Sequence, residues 1–300
     1  MTECKIQKPF LKWVGGKTQI IQKVISKIPV EMNNYHELFL GGGSVLFAVL
    51  SLQKQNKIKI KKKIYAYDVN EKLINVYKHV QNNKDELFEL IEKYITEYGS
   101  LTGTEVNRKA ETLEEAKTSK ESYYYWMRKK FNNIDKNSVE CSALFMVINK
   151  TCFRGMYREG PNGYNIPYGH YKTTPTVITR ENIDIISDLI KNVKFICVSF
   201  KKSIKCVKKG DFVYLDPPYA PEKAKSFVGY VAGGFNLNDH VQLFTDIKKI
   251  KNAKFVLSNA KVELVMEYFK EYKCENILAR RAIHRDNPGA KAKEVLIYNY

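Results

Sequence analysis

The stretch VYLDPPY, Val213 to Tyr219, ends an apolar run in an acid, two prolines and an aromatic. Proline fixes φ and has no N–H, so carbonyls around it stay open as acceptors. Asp216 and the carbonyl of Pro217 can then take both hydrogens of one exocyclic –NH2 group. Tyr219 offers a flat face on which a base stacks, worth about 1–3 kcal/mol. An amine held by both hydrogens turns its lone pair toward a third partner, which is what a weak aromatic-amine nucleophile needs. The plain alternative is a strand-ending turn with an exposed acid.

Two glycine clusters form the second constellation. Gly41-Gly42-Gly43 follows the apolar Leu38–Leu40, and Asp68 comes 25 positions after Gly43. Glycines after a strand let a ligand approach the backbone closely, and an acid ending the next strand can accept from ribose hydroxyls. The turn lacks full G-x-G-x-x-G spacing, because Leu46 stands where the last glycine would be. That favours an adenosine-like ligand without a pyrophosphate. KWVGGKTQ, Lys12 to Gln19, looks like the end of a P-loop, yet Leu11 occupies the position of its first glycine. A nucleotide triphosphatase is excluded on that ground.

The six cysteines form no C-x-x-C pair, so neither a zinc site nor a disulfide framework is expected, and a reducing intracellular setting is. No apolar run is long enough to span a bilayer, and MTECKIQKPF lacks a signal-peptide core. The net charge of +18 points to a polyanionic partner. Only eight of the 50 basic residues are Arg, so a Lys-rich background explains part of that charge. The lysine strip KIKIKKK, for instance, reads as a solvated lead into a strand.

These residues need a scaffold. Ile20, Ile21, Val24, Ile25 and Ile28 fall at helical spacing and stop at Pro29. Strand, glycine turn, helix and a second strand ending in Asp68 make a βαβ unit. Residues 73–172 are mainly helical by pattern, with Ser100 to Lys120 a candidate mobile segment. They end in a Gly-, Pro- and aromatic-rich hairpin loop from Cys152 to Tyr171. Strands resume in VKFICVSF, DFVYLDPPY, AKFVLSNA and EVLIYNY. The expectation is one α/β, Rossmann-like catalytic domain over 1–72 and 173–300, interrupted by a helical insert.

The chain resembles the N6-adenine DNA methyltransferases of the Dam-like, DpnII-methylase type. The resemblance runs from PFLKWVGGK through ELFLGGGSVLF, YAYDVNEKLINVY, NKTCFRGMYREGPNGYNIPYGHY, DFVYLDPPYAP and SFVGYVAGGF to EVLIYNY. It implies S-adenosylmethionine as cofactor, bound by Trp13, Lys17, Phe39, Gly41, Gly43, Asp68, Phe200 and Asp216. Asp216, Pro217, Pro218 and Tyr219 would hold a flipped adenine for direct transfer, without metal or covalent enzyme intermediate. The insert becomes a target-recognition domain for double-stranded DNA. By position, Phe153 wedges into the duplex and Arg158 reads guanine, with Arg154, Asn165 and Pro167 beside them. Read from the sequence, Arg280, Arg281 and Arg285 stand in a C-terminal loop that could touch the DNA backbone, and His284 could equally be a plain surface residue.

The resemblance also implies a short palindromic target, GATC- or CATG-like, and a restriction-modification setting with a cognate endonuclease as partner. Two positions depart from the pattern. Arg154 replaces a common Asn, which puts GATC in doubt, and Ser199 replaces a common acid beside the cofactor's adenine. No Pro-Cys dipeptide occurs, which argues against cytosine-C5 chemistry. A cytosine-N4 or RNA amino-methyltransferase and an inactive DNA-binding protein stay open as alternatives.

Overall fold

Seven strands form one mixed, mostly parallel sheet in the computed structural model, which describes residues 5–221, 235–280 and 291–300. They are β1 (Tyr35–Glu37), β2 (Ile64–Asp68), β3 (Val193–Cys197), β4 (Phe212–Leu215), β5 (Lys254–Ala260), β6 (Lys273–Arg280) and β7 (Lys291–Tyr298). Across the sheet the order is β3-β2-β1-β4-β5-β7-β6. The first five run parallel, and β7 lies antiparallel to both β5 and β6. Connections step from β1 outward to β2 and β3, then return to β4 and continue to β5. Strand order therefore reverses between β1 and β4, where an open α/β sheet places its ligand crevice at the carboxyl ends. Arg281, His284, Arg285 and most of SFVGYVAGGF lie outside the described residues.

The chain divides into two compact units. The first holds residues 1–8, 17–69 and 192–300, and with them the whole sheet. Its core is aliphatic and aromatic: Leu38, Val213, Leu215, Phe255, Leu257 and Val295 pack with Leu243 and Phe244 of the helix Leu237–Lys248. These strands are buried on both faces, which is why β4 and β5 read as apolar runs rather than alternations.

The second unit holds residues 9–16 and 70–191 and is mainly helical. Its helices Glu71–Asn82, Lys120–Asn133, Val139–Thr151 and Arg180–Ile190 each begin at a side-chain cap, from Asn70, Ser119, Ser138 and Thr179. Such caps satisfy the orphan N–H groups of the first turn. A two-residue antiparallel pair, Glu159–Gly160 with Gly163–Tyr164, closes the hairpin around Pro161-Asn162. Between Ser100 and Lys120, Asn107 N–H bonds Ser122 Oγ and Arg108 pairs with Glu121.

Three local expectations shift. β1 covers Tyr35–Glu37, and Leu38–Leu40 continues past the ladder, with Leu38 N–H on Tyr214 O and Leu40 N–H on Tyr67 O. KIKIKKKIYAYD splits in two: Lys59–Ile60 pairs with Glu31–Met32, and only Ile64–Asp68 joins the main sheet. β6 was not expected, because its charged sequence KCENILAR takes its register from β7.

Candidate active site

The carboxyl ends of β1, β2, β3 and β4 all point to one edge of the sheet, because the four strands are parallel neighbours. β1 leads into the glycine turn, β2 ends in Asp68, β3 leads to Phe200, and β4 leads into Asp216. Gly41 and Gly43 have φ of 49° and 71°, in the left-handed region that favours glycine. Gly41 N–H donates to Asp68 Oδ2 at 3.0 Å, so the acid ties the turn to the end of β2. Gly43 N-caps the helix Ser44–Lys54 but has no side chain with which to cap it. Glu37 supplies the acceptor: its buried carboxyl takes Leu46 N–H, and Tyr35 Oη donates to it at 2.6 Å. Burial, opposed by the Tyr35 bond and reinforced by Asp216, pushes Glu37 up to about 8.

Asp216 sits one residue past β4. Its Oδ2 is 2.7 Å from Lys17 Nζ, with side-chain exposures of 19% and 6%. Its Oδ1 is buried and has no hydrogen-bond partner among the described residues. Burial raises the Asp216 pKa, the Lys17 ammonium opposes that, and Glu294 adds to it; burial wins. The Lys17 ammonium also lies 5.0 Å from the centre of the Tyr219 ring. Tyr219 Oη donates to Glu294 Oε2 at 2.9 Å. A buried carboxylate oxygen without a donor costs about 1–3 kcal/mol or more.

Phe39 and Phe200 stack at 6.0 Å, and Phe235 meets them at 5.9 and 5.4 Å, lining the same edge with apolar surface. Lys17, Phe39, Gly41, Gly43, Asp68, Phe200, Pro217, Pro218 and Tyr219 all belong to the first unit. Trp13 belongs to the second, where Tyr157 stacks on it at 5.5 Å and Phe145 at 6.4 Å. Among the described residues, no group of three or more His, Cys, Asp or Glu side chains could hold a metal. Likewise, no helix there is long and apolar enough to cross a membrane.

The five residues expected at DNA share one exposed loop of the second unit. Arg158 Nε donates to Asn165 Oδ1 at 2.7 Å. Phe153 N–H bonds Pro167 O at 2.9 Å, and the Phe153 side chain is 41% exposed. Arg154 sits at φ 55°, its guanidinium 5.1 Å from the Phe153 ring. The helix Lys120–Asn133 positions this loop from one face. Tyr124 Oη and Arg128 Nη1 donate to Ile166 O at 2.8 and 3.0 Å. Asn132 brackets Tyr164, accepting its N–H at 2.9 Å and donating to its O at 3.0 Å. A Cβ on Gly163, at φ 86°, would come within 2.7 Å of Asn132 Oδ1.

Sequence reasoning missed Glu37, His240, Asn259 and Glu294 around the acid loop, and Tyr124, Arg128 and Asn132 behind the hairpin. The spacing 124, 128, 132 was a readable signal, since i, i+4, i+8 share a helix face.

A mixed, mostly parallel sheet with a glycine turn at its switch point, beside a buried acid, is consistent with a methyltransferase fold. Residues 13–283 match the family model of the D12 class N6 adenine-specific DNA methyltransferase, and the chain belongs to that family. It is 36% identical to the Type II methyltransferase M.MjaIII of Methanocaldococcus jannaschii over 98% of this chain and 99% of that one. It is 31% identical to the Type II methyltransferase M1.LlaDCHI of Lactococcus lactis, over 98% and 95%. Identity to the DNA adenine methylase of Haemophilus influenzae is 27%, over 95% and 91%.

Proposed function

We propose that this DNA adenine methyltransferase takes its methyl group from S-adenosylmethionine and delivers it to a flipped adenine in a four-base, GATC- or CATG-like site. The buried Oδ1 of Asp216, without a hydrogen-bond partner among the described residues and at the switch point beside the glycine turn, carries this reading. S-Adenosylmethionine supplies a methyl already activated on a sulfonium. The residues present fit it. The left-handed glycines at 41 and 43 admit close approach, Asp68 ends β2 as a ribose acceptor, and Phe39 and Phe200 give an apolar wall. Lys17, with three N–H donors, can hold Asp216 and meet the cofactor's carboxylate.

In this reading Asp216 Oδ1 accepts one N6 hydrogen and the Pro217 carbonyl the other, while Tyr219 stacks on the ring. The amine becomes acidic only after methylation, so its proton leaves late, to water. The second unit reads the target, with Phe153 as wedge and Arg158 toward guanine O6 and N7; the Arg158–Asn165 bond supports a preset fork. The Type II names of two relatives support a restriction-modification setting with a cognate endonuclease. Sequencing of modified bases in DNA from cells expressing the protein tests this. N6-methyladenine at one short palindrome is expected, and methylation scattered without a motif would refute the recognition reading.

A further inference from the structure

The run Asp216-Pro217-Pro218-Tyr219-Ala220 is hard to hold by its backbone, since neither proline has an N–H. The structure grips it with side chains instead, one at each of three consecutive residues. His240 Nε2 lies 3.0 Å from Pro218 O, and the tautomer with its hydrogen on Nε2 donates to it. Tyr219 Oη donates to Glu294 Oε2 at 2.9 Å. Ala220 N–H donates to Asn259 Oδ1 at 3.1 Å, and that oxygen also takes Ala260 N–H at 2.8 Å. The three side chains come from three elements: the helix Leu237–Lys248, β7 and β5.

His240 is 1% exposed and Asn259 is fully buried. His240 Nδ1 lies 2.9 Å from Asn236 O, a second acceptor, so a ring with a single N–H bonds only one of the two carbonyls. Phe235 and Phe244 pack edge-on against it. Asn259 Nδ2 has no partner among the described residues, an arrangement that costs stability. Its oxygen, by contrast, takes two N–H groups and ties the loop to β5.

We infer that His240, Asn259 and Glu294 are positioning residues for methyl transfer, clamping residues 218–220 so that the Pro217 carbonyl and the Tyr219 ring stand ready for the base. A displacement of about 1 Å at such acceptors is enough to cost on the order of a hundredfold in rate.

The test uses the full chain, S-adenosylmethionine and unmethylated plasmid DNA. The variants are His240→Leu, Asn259→Ala and Glu294→Leu, with His240→Gln and Glu294→Gln as conservative partners. We expect kcat to fall about tenfold or more in the first three, with cofactor affinity by calorimetry within about threefold of native. The two Gln variants, which keep a donor to Pro218 O and an acceptor for Tyr219 Oη, should recover most of that loss. Rates within about threefold of native in all of the first three would overturn the clamp. So would a rate loss matched by an equal loss of cofactor affinity and not recovered by Gln. Should His240→Leu fail to fold, His240→Asn, whose shorter amide falls short of Pro218 O, takes its place with the same expected loss. The inference rests on the proposed donor, and the native protein run alongside separates the two. No transfer by the native protein overturns the donor and the clamp together; transfer by native and variants alike overturns the clamp alone.

Discussion

Asp216 shows how two oxygens of one carboxylate are given different work. Oδ2 is bound to Lys17, which fixes the group, while Oδ1 is left as a buried acceptor. Asp216→Ala should therefore lower kcat by roughly 10²–10³-fold or more, the scale seen when one preorganised polar contact is lost. Cofactor affinity by calorimetry should change little. Glu37 makes a separate prediction. Its folded pKa is raised to about 8, against about 4.3 unfolded. The stability it confers is then fully present below the unfolded value and is lost as pH rises through the folded one. Asp216 acts in the same direction. Thermal melts should drop by about 2–6 °C between neutral pH and about pH 9, and Glu37→Gln should flatten that slope. A native melting temperature independent of pH over this range would refute it.

At the level of elements, the hairpin is held by a helix face rather than by its own two-residue ladder. Asn132→Ala removes both partners of the Tyr164 backbone and should destabilise the protein by about 1–3 kcal/mol. Target discrimination should weaken with it, which methylation of one-base-altered sites would reveal. Arg158→Ala should relax discrimination at one base by about 1–3 kcal/mol, and unchanged site choice would argue against a base contact. Much of this scale was legible in the sequence. The 3.6-residue periodicity marked the helices, and VKFICV, FVYL and KFVLSNA read as strands. β6 was not, since Lys273, Glu275 and Arg280 interrupt it and only its pairing to β7 makes it a strand. Asp216, the glycine turn and the hairpin were visible because each is a local cluster. The clamp was not, because Pro218, Tyr219 and Ala220 meet His240, Glu294 and Asn259 at separations of 22, 75 and 39 residues. Charge and polarity alone give such residues no local signature.

For the whole molecule, a net charge of +18 makes association with DNA a matter of counterion release. Affinity for any duplex should fall by about 10³-fold or more between roughly 50 and 200 mM salt, with target and non-target DNA affected alike. Cofactor affinity, set in the crevice of the sheet, should change far less. The α/β unit carries the acid, the glycine turn and the clamp, whereas the helical unit carries the exposed arginines. The most direct test of the chemistry is nucleoside analysis of DNA after incubation with purified protein and methyl-labelled S-adenosylmethionine. Label should appear in N6-methyldeoxyadenosine with the native protein and vanish with Asp216→Ala. Label in N4-methyldeoxycytidine, or equal labelling by the Asp216→Ala protein, would contradict the account.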